Sequence, residues 1–215
     1  EADWCIGELY KTLENEGILD NTLIIFSSDN GPVLNDGYYD DAVEKLGDHT
    51  PFGGLRGGKY SLFEAGTKVP FISYWKGKIN PGISNELISQ VDLLNSISSI
   101  IGSEFKSNDG IDLSDLLLRN NGKGRDHLVV EASTRTAFRK GDWVIIPPYD
   151  APALNKNVNI ELGNSNNFQL YNLEDDPSQK NNLAKIEKEK LKEIYNEFLK
   201  IRGDNFSNIE SLILE

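Results

Sequence analysis

Apolar side chains recur at three- and four-residue steps over residues 3 to about 16, at Ile6, Leu9, Tyr10 and Leu13, and Gly17 follows as a stop signal. That spacing predicts a helix. Thr22 to Ser28 follows another rule, because TLIIFSS is continuously apolar and β-branched rather than alternating. Such a run fits a strand covered on both faces, as in a parallel sheet. Asp29-Asn30-Gly31-Pro32 breaks it, and residues 33 to 58 are too rich in glycine for regular structure. Val69 to Trp75 reads as a second buried strand, and a helix is expected from about Ser89 to Ile101, ended by Gly102. Helix, strand, long loop, strand and helix together argue for an α/β fold.

From about Ser103 the pattern shortens. His127 to Glu131, Thr136 to Arg139, Trp143 to Ile146 and Phe168 to Tyr171 read as short strands, with Lys140-Gly141-Asp142 as a hairpin turn. Residues 147 to 167 form a polar, Asn-rich loop. Ala184 to Arg202 places Ile186, Leu191, Ile194, Tyr195, Phe198 and Leu199 on one face of an amphipathic helix. A small antiparallel sheet packed by one helix is the expected second part, so the chain divides into residues 1–105 and 106–215.

Composition narrows the classes. A chain of 215 residues suits one domain and a smaller unit, and its single cysteine rules out a disulfide within the chain. Cys5 falls in the first helix pattern and is expected to be buried. No apolar run approaches the ~18 residues of a membrane span, and no charged and then apolar leader opens the sequence. Methionine is absent, so Glu1 is expected to follow a cut and the chain to be a piece of a longer protein. The net charge of −12 argues against a nucleic-acid partner. Against that background the segment from Lys45 to Lys78 holds six basic side chains (Lys45, Arg56, Lys59, Lys68, Lys76, Lys78) and two acidic ones (Asp48, Glu64), a local +4. An anion would bind there.

Asp29 and Asn30 directly follow the first strand, where ligands gather in open α/β sheets. Adjacent carboxylate and amide oxygens can turn toward one hard cation, or the pair can simply make a turn. Two oxygens do not complete a calcium shell of about 6–8 ligands. Gly53, Gly58 and Lys59 satisfy the spacing of a phosphate-binding P-loop, but Tyr60 stands where its Ser or Thr belongs and residues 48–52 make a poor strand. The P-loop is rejected; a lysine on a pliable backbone, able to meet an anion, remains. His49 is either an exposed loop residue or a donor to a substrate oxygen or leaving group. Glu64 is either a general base or, more commonly for its kind, a loop tether. The alternating Lys and Glu of 185–193 form a solvated face.

Three blocks in register resemble the type I sulfatases, the arylsulfatase-like branch of the alkaline phosphatase superfamily. They are Asn21 to Gly31 (NTLIIFSSDNG), Leu55 to Phe71 (LRGGK running on to FEAGTKVPF), and Leu170-Tyr171-Asn172-Leu173 with Asp176-Pro177 and Asn182-Leu183-Ala184. Lys140-Gly141-Asp142-Trp143 adds a weaker fourth. The resemblance implies the C-terminal part of an alkaline-phosphatase-like α/β sandwich plus a small antiparallel sheet packed by a C-terminal helix. It implies one calcium ion held in part by Asp29 and Asn30, a sulfate contact from Lys59, and a substrate contact from His49. The substrate is expected to be a sulfated small molecule or carbohydrate, to which the polar loop 33–52 offers Tyr38, Tyr39 and His49.

The family's nucleophile is a formylglycine made within a C-x-P-S-R type motif. Cys5 is followed by Ile-Gly-Glu-Leu, and no serine begins such a motif either. The formylglycine and the paired aspartates that complete the calcium site are therefore expected in a missing N-terminal portion, and residues 1–215 alone are expected to be inactive. The resemblance also implies an extracytoplasmic location. Two other readings remain: a phosphodiesterase or phosphoethanolamine-transferase relative, and a non-catalytic binding domain on the same scaffold. The dimetal relatives usually place Asp-His where Asp29-Asn30 stand, since a second zinc wants an imidazole. Asn30 favours the one-calcium enzyme.

Overall fold

A computed structural model describes residues 1–38, 40–119 and 121–203. Its contacts divide the chain into two compact units, residues 1–29 with 69–128, and residues 30–68 with 129–215. This interleaved division does not follow a cut at 105/106. Its physical reason is Leu62 and Phe63, which are apolar, 3% and 2% exposed, and buried in the core of the C-terminal sheet.

In the first unit, helix α1 (Ala2–Asn15) precedes strand β1 (Ile24–Ser27), which pairs with β2 (Phe71–Tyr74). The pairing is antiparallel, Ile24 facing Tyr74 and Ser27 facing Phe71, and both strands are only partly covered. The parallel, fully covered strands expected from TLIIFSS are thus corrected. Continuous hydrophobicity reports strand propensity, whereas the 40-odd residues between the runs leave either direction open. Tyr10 of α1 meets Tyr74 of β2, ring centroids 5.9 Å apart. No residue of α1 is buried, and Cys5 is exposed, contrary to expectation.

The second predicted helix appears as a short 3-10 turn, Gln90–Asp92, leading into α2 (Leu93–Ile100). Ser89 and Asp92 form a reciprocal cap over its start. Asp92 is 2% exposed, accepts the Ser89 and Ile111 backbone N–H groups at 2.9 Å, and takes a two-pronged contact from Arg125. Asn95 clasps the following loop through Ser107 and Gly110. Helix α3 (Ser114–Arg119) had no sequence forecast; its two buried leucines, Leu116 and Leu117, are too few to show a period.

The second unit is built on an antiparallel sheet of β3 (His127–Ala132), β4 (Arg135–Lys140), β5 (Trp143–Ile146) and β8 (Gln169–Asn172), in the order β3-β4-β5-β8. All four match predicted strands, and Lys140 pairs with Trp143 across the expected hairpin turn. Alternation sorts its faces. Phe138, Ile145 and Leu170 pack with Ile194 and Phe198 of α4 (Lys188–Arg202). Ala137, Val144, Ile146 and Tyr171 point the other way and pack with Leu62 and Phe63. Helix α4 begins later than predicted, because residues 183–187 form a turn in which Leu183 accepts from Ile186 and Glu187; Ile186 is accordingly exposed. The loop 147–167 contains a small pair, β6 (Leu154–Asn155) with β7 (Ile160–Glu161), centred on the buried Ile160.

Candidate functional site

Lys59 sits in a segment whose backbone is fixed from two directions. Behind it, Leu62 and Phe63 anchor in the sheet core, and the Leu62 N–H donates to Leu162 at 3.1 Å. Beside it runs the strap Asn30-Gly31-Pro32. The Gly31 N–H donates to the Gly66 carbonyl at 2.8 Å, and the Lys59 N–H donates to the Pro32 carbonyl at 3.0 Å. The approach is close enough to demand glycine: a Cβ at Gly31 would lie 1.6 Å from the Ala65 carbonyl oxygen, and one at Gly58 would lie 2.8 Å from that of Pro32. Two sequence blocks separated by some thirty residues are in this way locked together, and Asn30 and Lys59 belong to one rigidly connected backbone.

The Lys59 ammonium donates to Asp36 Oδ2 at 2.5 Å, and the Tyr60 hydroxyl donates to Asp36 Oδ1 at 2.8 Å. Lys59 also lies 5.2 Å from the centre of the Tyr60 ring. The hydrogen bond to Asp36 is the main cause that raises the Lys59 pKa, and the same bond, with that from Tyr60, lowers Asp36. Lys59 is therefore a firm cation with 29% of its side chain open to solvent. An ammonium has three N–H donors, and Asp36 takes one of them.

Arg56, the other cation of the motif, has a structural task. Its guanidinium lies 4.0 Å from the Phe63 ring centre, pairs with Glu161, and donates to the Gln179 carbonyl at 2.8 Å and the Tyr171 hydroxyl at 3.4 Å. Burial raises the Tyr171 pKa, so that hydroxyl stays protonated. Glu64 is a tether: it is 11% exposed and faces Arg139 at 3.3 Å and Lys68 at 3.9 Å.

The remaining sequence candidates fall as follows. Asp29 closes the first unit and Asn30 opens the second. Asp29 is exposed, with Ser28 Oγ 3.5 Å from its Oδ1; Asn30 is half-buried and donates from Nδ2 to the Gly31 carbonyl at 2.9 Å. Gln90 steadies the approach to Asp29 by donating to the Ser28 carbonyl at 2.5 Å. The two residues offer hard oxygen donors suited to calcium, though no group of three or more His, Cys, Asp or Glu is arranged to hold a metal among the described residues. His49 is exposed on a turn, its backbone N–H donating to Leu46 at 3.2 Å, and no described contact joins it to Lys59. Tyr38 is 79% exposed, and Tyr39 lies outside the described residues. Asp36 and Gln179 carried no functional signal in the sequence, and Tyr60 entered there only as a mismatch to the P-loop, not as a partner of Asp36. Asn35-Asp36-Gly37 signals a turn, but only the folded chain shows that the turn faces Lys59.

Residues 1–103 match the family model described as Sulfatase. An N-acetylgalactosamine-6-O-sulfatase of Bacteroides thetaiotaomicron is 43% identical over 198 residues, which cover 90% of this chain and 39% of that protein. Human arylsulfatase A is 35% identical over 120 residues, 55% of this chain and 22% of the relative. A solved structure from work on the metabolism of multiple glycosaminoglycans by Bacteroides thetaiotaomicron superposes with a TM-score of 0.88 at 40% identity, covering 94% of this chain and 43% of that one. A sulfatase structure from Pseudoalteromonas sp. superposes at 0.68 with 30% identity, covering 91% and 39%. The chain thus spans about two fifths of the length of the relatives it follows over most of its own.

Proposed function

Because residues 1–103 belong to the sulfatase family and the described fold is that of the C-terminal part of sulfatase structures, we propose that the protein containing this chain hydrolyses a sulfate ester of a carbohydrate. The observation that carries the reading is Lys59: a half-open cation in the locally basic segment, on the motif block that the sulfatase resemblance associates with the sulfate group. N-acetylgalactosamine 6-sulfate is the substrate favoured, since the 43% identical relative is named for it. An extracytoplasmic location belongs to the same reading. Among the described residues no helix is long and apolar enough to cross a membrane.

In this reading Lys59 binds one non-bridging sulfate oxygen through an N–H not used by Asp36. Its charge offsets the negative charge that those oxygens carry while the ester bond breaks and its electron pair leaves with the departing oxygen, and it does so from a backbone already fixed. Asp29 and Asn30 would contribute oxygen ligands to one calcium ion, which when bound would supply positive charge to offset that of the sulfate oxygens. A formylglycine outside residues 1–215 would supply the attacking oxygen. His49, on its exposed turn, would reach the sugar or the departing oxygen. Asn30 supports this one-metal chemistry over that of phosphodiesterase or phosphoethanolamine-transferase relatives.

The test is sulfate release by the full-length protein from N-acetylgalactosamine 6-sulfate, with the 4-sulfate and a phosphodiester as comparisons. Release from the 6-sulfate alone is expected. Turnover of the phosphodiester only, or of nothing, would overturn the reading.

A further inference from the structure

We propose that Asp36 is a positioning residue for Lys59: its carboxylate, fixed on one side by Tyr60, aims the ammonium so that its remaining N–H donors meet an anionic sulfate oxygen. The sulfate part of this rests on the function proposed above, while the geometry stands without it. Both carboxylate oxygens are used, Oδ2 by Lys59 and Oδ1 by Tyr60, so Asp36 has little freedom to follow the lysine; the lysine follows it. A lysine stem is otherwise flexible, and an unaimed ammonium is a poor preorganised donor.

The backbone is bent on both sides to make this contact. Asn35 is left-handed with φ of 55°, Gly37 has φ of 83°, and the Gly37 N–H donates to the Asn35 carbonyl at 2.8 Å, so Asp36 stands at the tip of a tight turn. Opposite it, Tyr60 adopts φ of 75°, an unfavourable conformation for an aromatic residue. Such strain persists only where the surroundings over-determine it, and it gathers at binding sites. Here the surroundings are the Ser61 N–H on the Gly58 carbonyl at 3.0 Å and the Lys59 N–H on Pro32. Together they place the Tyr60 hydroxyl and the Lys59 ammonium on the two oxygens of one carboxylate. The single negative charge of Asp36 would also repel a sulfate. The two effects predict opposite signs on removal of the charge.

The experiment compares Asp36→Asn, Asp36→Glu and Tyr60→Phe with the unaltered full-length protein. Inorganic sulfate is the probe, read as inhibition of turnover and as protection of Lys59 from acylation, followed by peptide mass spectrometry. Asp36→Asn should weaken sulfate inhibition and raise KM by about 10-fold, the scale of one weakened hydrogen bond to a charged group. It should also shift protection of Lys59 to about 10-fold higher sulfate and speed its acylation at mildly basic pH. Tyr60→Phe should move in the same direction by less, and Asp36→Glu should recover part of the loss. Unchanged melting temperatures separate these effects from unfolding, and the two milder variants decide the matter should Asp36→Asn not fold. Tighter sulfate binding in Asp36→Asn would overturn the proposal, as would equal protection of Lys59 in all proteins. An unaltered protein that hydrolyses no sulfate ester defeats the sulfatase reading alone, because the protection measurement still decides the role of Asp36.

Discussion

Arg56 Nη1 donates to the backbone carbonyl of Gln179 at 2.8 Å, joining two sequence blocks more than a hundred residues apart. The Gln179 side-chain oxygen returns the link by accepting the Glu64 N–H at 2.7 Å, and Gln179 itself is fully buried. The arginine of the LRGGK block therefore holds the lysine's loop in place, while the Lys59 side chain stays partly open to solvent. Arg56→Lys keeps the charge but loses the planar fork and the stacking on Phe63. It should lower unfolding free energy by about 1–3 kcal/mol, the worth of a charged hydrogen-bond set, seen as a lower urea midpoint. An unchanged midpoint would show that the loop is held by its apolar anchors alone.

Arg125 makes the same kind of prediction in the first unit, with a larger effect. Asp92 is 3% exposed at its side chain and Arg125 only 12%. Removing the guanidinium strands a buried carboxylate, which costs about 3–5 kcal/mol. Arg125→Ala should therefore lower the melting temperature far more than Arg56→Lys. Arg125→Ala with Asp92→Asn should recover part of the loss, since the amide carries no charge to strand. A double variant no better than the single one would mean that the lost partner was packing, not charge.

The sequence pattern disclosed most where a period ran long enough. β4, β5 and β8 were legible only as short strands, because both of their faces are covered; packing alone sorts Phe138, Ile145 and Leu170 from Ala137, Val144 and Tyr171. α4 is legible because its apolar stripe recurs over several turns. The direction of β1 against β2 was not, because pairing depends on what the intervening chain does and not on the strands' own residues. Leu62 and Phe63 lay in a stretch that reads as loop, and only packing reveals that they cover a sheet face and draw residues 30–68 with them. Lys59 was visible as a motif cation. Asp36 was not, since a turn residue's partner is set by where the turn lands.

Replacing Lys59 tests the chemistry directly. In the full-length protein Lys59→Ala should lower kcat/KM by about 100-fold or more, as loss of a preorganised charge-stabilising donor does. Melting temperature should change little, because Lys59 and Asp36 are a partly exposed pair. Retained activity would place the sulfate elsewhere.

The Lys59–Asp36 pair also sets a pH window. Asp36 is lowered from its usual 3.8, so its contribution is present above that value and is lost as pH falls through the lower folded one. Lys59 is raised from 10.5, so its contribution is present below that value and is lost as pH rises through the higher folded one. Protease cutting within residues 33–38 should therefore stay flat from about pH 5 to 9 and increase only at the extremes. Asp36→Asn should erase the acid-side increase. A step near neutral pH would point to another titrating group.

Calcium binding can be tested at Asp29 and Asn30, the two ligands that the sulfatase resemblance implies in this chain. Asp29 is exposed and contributes a carboxylate at a strand end, and Asn30 contributes an amide oxygen on the strap that Gly31 pins to Gly66. Two oxygens out of about 6–8 leave most of the shell to the rest of the protein. The full-length protein should be stabilised by calcium, by about 2.7 kcal/mol at a concentration 100 times the Kd, and isolated residues 1–215 should show almost no shift. Asp29→Ala should abolish the shift in the full-length protein, and Asn30→Ala should reduce it. Magnesium should substitute poorly, because it demands a tighter octahedral shell. A calcium shift that survives Asp29→Ala would remove this strand end from the metal site. The sulfate contact proposed for Lys59 would still stand, since its anchors at Pro32 and Asp36 do not involve Asp29.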